Sequence, residues 1–203
     1  MMDSKEPNRV VIGVTGASGS ILAAKTIEKL ISIGTPVSII TSNPARMVWN
    51  HEMDESYGES LEKWSDSGLV ELRGIGELTA PIASGSYPTI GMAIVPSSMA
   101  TISALANGLS DNLIRRAADV CLKEKRPLVV VPRESPLNTV HLNNMAKLAN
   151  LGVHIIPSDP PYYLGIETLS EAAEYTAERI LLSIGITKEL PPNMRYNGPV
   201  SPV

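Results

Sequence analysis

Short apolar runs alternate along the chain with stretches of helical period. RVVIGV (9–14), PVSIIT (36–41), GMAIVP (91–96), PLVVVP (127–132) and GVHIIP (152–157) read as five strands. After the first of them Ile21, Leu22, Ile27, Leu30 and Ile31 recur on one helical face, and similar faces run through residues 99–106, 113–122, 141–151 and 171–182. Strands and helices in alternation imply βαβ crossovers, so the pattern predicts an α/β fold in three layers, a parallel sheet with helices on both faces. Residues 49–86, with GES, SDSG and SGS as punctuation, read as loops or short elements. The pattern divides the chain into one domain, residues 1–186, and a Pro-rich tail, 187–203, expected to be extended and to pack on a neighbouring subunit.

Composition narrows the partners. The 203 residues fit one domain, and 43% hydrophobic with 19% charged residues is ordinary for a globular protein with a full-sized core. A net charge of −4 with no basic block argues against a nucleic-acid surface and against a membrane-surface helix. No segment reaches the roughly 18 apolar residues of a membrane span, and MMDSKEPNRV has no signal-peptide core. The single cysteine, Cys121, forms no intrachain disulfide, so a cytoplasmic location is expected. His51, His141 and His154 are too scattered for a transition-metal site.

Ligands of an open parallel sheet bind beyond the carboxyl ends of the strands, which singles out five loops. TGASGS (15–20) puts small residues between a strand and a helix, as phosphate-holding turns do, but Gly13, Gly16 and Gly19 match neither the dinucleotide nor the Walker spacing. The second strand ends in SIITSN, without the acid that holds a dinucleotide ribose. A mononucleotide held by hydroxyls and backbone N–H groups fits better. In PSSMAT, Ser98 and Thr101 stand where they can cap a helix or bind a ligand; PRESP places Arg133 and Glu134 after a wholly apolar strand; PSDPPYYLG sets Tyr162 beside Tyr163. Arg116 and Lys123 lie about two turns apart on one helical face, suited to an anion shared with Arg133, with Asp119 as a competing partner. Each feature also has an ordinary reading: Gly and Ser suit any such turn, and charged loop residues are commonly just solvated.

Taken together, TGASGS, IASGSYPTIGMAIVPSS, PSSMATISALANGLSDNLIRRAADVCLKEKRPLVVVPRESPL and PPYY resemble the UbiX-type flavin prenyltransferase family over nearly the whole chain. The resemblance implies a flavodoxin-like Rossmann fold that binds FMN without a metal. It implies transfer of a dimethylallyl group from dimethylallyl phosphate to N5 and C6 of reduced FMN. The product, prenylated FMN, is then the cofactor of a UbiD-type decarboxylase, and the assembly is a homo-oligomer, a dodecamer. Carried over by position, Gly16, Ala17, Ser18, Ser42, Ser98, Met99, Ala100, Thr101 and Arg133 match FMN-binding residues, and Tyr163 and Arg179 match residues that bind the donor phosphate. Arg116, Lys123 and Glu134 match polar residues around that phosphate, with Lys123 and Glu134 placed among the catalytic groups. Glu52 matches an acid near the reacting flavin edge, with Ser18 as its relay. The chain departs from the family where many members have Lys (Ala100), where His is common (Leu164) and at a tail Trp (Tyr196). The first two bear on affinity and the third on closure of the site. Two alternatives share the fold. An FMN-dependent cysteine decarboxylase needs a His upstream of the PSS turn, absent from GIGELTAPIASGSYPTIGMAI, and a flavodoxin-like FMN carrier needs no second anion site.

Overall fold

The computed structural model describes residues 9–198. Strand β1 (Arg9–Val14) leads through a turn into helix α1 (Ser20–Ser32), then β2 (Val37–Thr41). Helices α2 (Asn43–Glu52) and α3 (Tyr57–Ser65) precede the short β3 (Val70–Arg73). The chain returns as β4 (Thr89–Ser97), α4 (Met99–Ala106), α5 (Leu113–Lys123), β5 (Leu128–Pro132), α6 (Thr139–Asn150), β6 (His154–Ile155) and α7 (Leu169–Ile184). The sheet is parallel throughout, in the order β3-β2-β1-β4-β5-β6. Its direction of growth reverses between β1 and β4, so a crevice opens where those two strands end.

Alternate residues of each strand feed two cores. Val10, Ile12 and Val14 of β1, with Ala93 and Val95 of β4, pack under α1, α2, α3 and α7, through Leu22, Ile27, Trp49, Trp64, Ile180 and Leu181. Val11, Met92 and Ile94 pack on the opposite face under α4, α5 and α6. This is the three-layer arrangement expected from the alternating pattern, and the five expected strands and five expected helices all form.

Three elements escaped the sequence reading. Strand β3, VELR, lies at the sheet edge and is only partly buried, with Glu71 taken up by Ser38 and by Arg73. Helix α2 buries only Ala45 and Trp49, and α3 is a nine-residue helix closed by a Ser56–Glu59 capping box. The region expected to be loops or short elements therefore holds the end of α2, the nine-residue α3 and the four-residue β3. The described part of the tail is not simply extended. It forms a 3₁₀ turn, Pro192–Met194, and Tyr196 meets the ring of Tyr163 edge-on at 5.3 Å between centroids. Its last residues, 199–203, lie outside the described residues, as do residues 1–8.

Candidate active site

Two cavities flank the turn that follows β1. The first, about 300 Å³, is lined by Thr15, Gly16, Ser42, Pro44, Ser98, Ala100, Thr101, Asn112 and Arg115, with Ile75 and Ile114 behind them. Three helices begin here. Ser42 caps α2 by accepting from the Ala45 N–H (3.2 Å), Ser98 caps α4 by accepting from Thr101 (3.3 Å), and Asn112 caps α5 by accepting from Arg115 (3.1 Å). Their N-terminal ends add partial positive charge to a cavity with no acidic side chain in its lining. Thr15 ties the turn to the next strand, since its hydroxyl donates to the Pro96 carbonyl (2.9 Å) and accepts from the Ser98 N–H (2.8 Å). Gly16 must be glycine for a local reason: a Cβ there would lie 2.5 Å from Cβ of Pro44. The turn thus approaches α2 with bare backbone.

The second cavity, about 400 Å³, lies on the other side of the same turn and is largely apolar. Ile21, Leu22, Met53, Leu169, Ala172 and Ala173 form its walls, while Ser18, Glu52, Arg133 and Ser158 supply its polar groups. Glu52 is the last residue of α2, where a loop or short element was expected. One carboxylate oxygen accepts from the N–H groups of Gly19 (2.9 Å) and Ser20 (2.8 Å). Gly19, the N-cap of α1, has a φ of 114° and no side chain to offer, so Glu52 performs the capping from outside the helix. Burial pushes the Glu52 carboxyl up, but bonds from the Ser18 hydroxyl and from the N–H groups of Ser20 and Gly19 outweigh it, and its net pKa lies below the ordinary value. The group is therefore ionised near neutral pH.

The flavoprotein family model matches residues 2–182, nearly all of the chain. The chain belongs to the flavoprotein family. It is 41% identical over 181 residues to a flavin prenyltransferase UbiX of Archaeoglobus fulgidus, an alignment that covers 88% of this chain and 95% of that one. Such relatives place it with the UbiX-type flavin prenyltransferases. Among solved structures it resembles AnUbiX (PadA1) in complex with FMN and dimethylallyl pyrophosphate (TM-score 0.86, 31% identity, 95% of this chain and 99% of that one). It also resembles a dodecameric FMN-dependent UbiX-like decarboxylase from Escherichia coli O157:H7 (TM-score 0.85, 34% identity, 94% and 100%).

In this flavoprotein, the residues expected to contact FMN gather around the turn. Gly16, Ser42, Ser98, Ala100 and Thr101 line the first cavity, Ser18 and Arg133 line the second, and Ala17 is buried between them. Met99 points elsewhere and packs against the core under α4–α6. The residues expected at the donor phosphate do not converge within one chain. Arg116 donates through Nε to the Ala83 carbonyl (3.0 Å) and is paired by Asp119 (2.8 Å), and Lys123 is paired with Glu124 (2.8 Å) at the far end of α5. Arg179 sits on α7, which packs on the opposite face of the sheet. Glu134 accepts from the Ser135 N–H in an exposed loop, and Tyr163 is exposed beside Tyr196. Arg115, Asn112 and Ile75 of the first cavity were missed in the sequence, where Arg116 drew attention away from its neighbour. The Asn-x-x-Arg spacing at the start of α5 was the available signal, since the residue three positions after an N-cap lies in the first turn, beside the cap.

Proposed function

We propose that this chain is a flavin prenyltransferase that joins a dimethylallyl group, carried by a phosphate donor, to reduced FMN. One observation carries the reading: a cavity ringed by three helix N-termini and their capping side chains, and a cavity holding an ionised carboxylate, share a single turn. The first cavity fits the phosphate of FMN, since its lining offers hydroxyls, backbone N–H groups and a guanidinium, with a glycine where a side chain would collide. When bound, reduced FMN supplies the electron-rich N5 and C6 that accept the dimethylallyl group.

The protein's own groups do the rest. Ile21, Leu22, Met53, Leu169, Ala172 and Ala173 exclude water from the allylic carbon as positive charge develops on it. Arg133 stands at the same cavity and opposes the negative charge that the leaving phosphate gains. Glu52, held ionised by Ser18, Gly19 and Ser20, takes up the proton released when the second bond closes, with Ser18 as relay. Neither cavity is lined by a histidine, which argues against the cysteine decarboxylase alternative.

Because α5 and α7 lie on opposite faces, Arg116, Lys123 and Arg179 can share one phosphate only when copies of the chain meet. A homo-oligomer, dodecameric like the E. coli relative, assembles the donor site between subunits, and the tail joins that contact. A UbiD-type decarboxylase in the cytoplasm is the recipient of the prenylated FMN. Anaerobic incubation with reduced FMN and dimethylallyl monophosphate, or the diphosphate in a parallel reaction, followed by mass spectrometry of the flavin, tests the reading. A flavin carrying one added dimethylallyl unit supports it, and an unmodified flavin with both donors overturns it.

A further inference from the structure

Among the side chains that line the first cavity, one carries a charge: Arg115, on the first turn of α5. Its side chain is 20% exposed, and Nη1 donates to both oxygens of Asp111 (2.7 and 2.9 Å). Nε and Nη2 have no acceptor among the described residues. Asp111 is 66% exposed and outside the cavity lining, so this pair holds the guanidinium in place at little energetic depth. Ala100 contributes only a methyl group, and Arg133 serves the cavity across the turn. A phosphate monoester carries between one and two negative charges at neutral pH. Hydroxyls and helix ends solvate such a group but leave its charge unbalanced.

We propose that Arg115 is the phosphate-recognising cation of the flavin site and sets the preference for the mononucleotide over the dephosphorylated flavin. This rests on the reading that the FMN phosphate occupies the first cavity. Asp111 fixes the fork so that Nε and Nη2 are presented to the anion with little ordering cost, which is the advantage of a planar guanidinium over a flexible ammonium. Arg115 touches no reacting atom, so it acts on flavin selection.

The test titrates the full-length apoprotein with FMN and with riboflavin, for wild type, Arg115→Gln and Arg115→Lys. Arg115→Gln is expected to weaken FMN binding by about tenfold or more, equivalent to ~1.4 kcal/mol, and to leave riboflavin binding within about twofold. Arg115→Lys keeps the charge and retains a preference for FMN intermediate between the two. Added salt weakens FMN binding by wild type more than by Arg115→Gln. Equal losses for FMN and riboflavin, or unchanged FMN affinity in a folded Arg115→Gln protein, overturn the assignment. If wild type forms the prenylated product while Arg115→Gln keeps full FMN preference, this inference alone fails. If wild type does not prefer FMN to riboflavin, the placement of the phosphate fails with it.

Discussion

Replacing Glu52 by glutamine separates the capping role that the structure shows from the proton-accepting role proposed for the same carboxylate. As a cap, Glu52 satisfies the Gly19 and Ser20 N–H groups at the start of α1. As the proposed base, it would take a proton from the reacting flavin. Glutamine keeps an oxygen for the cap but accepts no proton at neutral pH. The stability loss for Glu52→Gln is then that of an anion removed from a helix N-terminus, about 0.3–1 kcal/mol. Glu52→Ala loses the acceptor altogether and falls in the range for a deleted N-cap, about 0.5–2 kcal/mol. If the proton role holds, both variants form product at least about tenfold more slowly, a barrier increase of ~1.4 kcal/mol or more. Thermal melts should rank wild type above Gln above Ala, while single-turnover product formation under anaerobic conditions should place Gln and Ala together at the bottom. Acidification adds a check. The folded-state pKa of Glu52 is depressed below its ordinary value of 4.5, so its stabilisation is complete above the unfolded-state pKa and is lost as pH falls through the lower folded value. The difference in melting temperature between wild type and Glu52→Gln should therefore narrow in that acidic window. A Glu52→Gln enzyme with wild-type product rates would reduce Glu52 to a cap and refute the proton role.

Three further outcomes are expected. Gly16→Ala forces a Cβ against Pro44 and should weaken FMN binding while lowering stability by about 1–3 kcal/mol; a melt and a flavin titration at wild-type values would contradict the tight approach of turn and helix. Lys123→Ala and Arg179→Ala should leave FMN affinity within about twofold but raise the donor concentration needed for half-maximal turnover, because charge-assisted bonds to phosphate are worth about 1.5–3 kcal/mol each; loss of FMN with donor dependence unchanged would reverse their assignment. Apoprotein should bind FMN more tightly than FAD, since β2 ends in Thr41 and is followed by Ser42, with no acid for a dinucleotide ribose; equal or tighter FAD binding in a direct titration would sink that prediction.

The central sheet was legible because its strands are apolar on both faces. Val10 through Val14 feed two cores at once, and a run of that kind between helical periods has few other readings. The elements that escaped notice carry a weaker pattern. VELR of β3 pairs on one side only and spends Glu71 and Arg73 on each other, so its composition is that of a polar loop. α2 announces itself poorly because only Ala45 and Trp49 are buried, although the Ser-Asn-Pro start is a helix-entry signal, and SYGE before α3 is a capping box visible in the sequence. Glu52 was singled out through the resemblance, but without α2 its position at the end of a helix aimed at α1 was not legible. Arg115 was hidden for another reason. Periodicity places it on a helix and the Asn-x-x-Arg spacing sets it beside the α5 cap, but that this first turn enters a cavity while Arg116, one residue on, turns toward Ala83 follows from the packing of α5 against the crevice.

The two cavities are mechanically joined through α2. Its N-terminal end brings Ser42 and Pro44 to the first cavity and its C-terminal end brings Glu52 to the second. The helix is pinned between them by Trp49, which is buried with its ring edge-on to Tyr57 (5.5 Å) and Trp64 (5.6 Å). Tyr57 is fixed in turn by a hydroxyl contact with Thr41 at the end of β2 (2.5 Å) and by an N–H bond to Asn50 of α2 (2.9 Å). A shift of α2 large enough to widen the first cavity would draw Glu52 away from Gly19 and Ser20, and would uncap α1 at the turn both cavities share. Well-packed aromatic contacts resist such sliding because side chains in a dense core have few alternative positions. The two cavities, proposed to hold the phosphate and to accept the proton, are thus held at a fixed separation by ten residues of helix, about 15 Å of rise. A ligand anchored at one end is delivered in register to the other, which is what a reaction joining an anchored ring to a second, separately bound substrate requires.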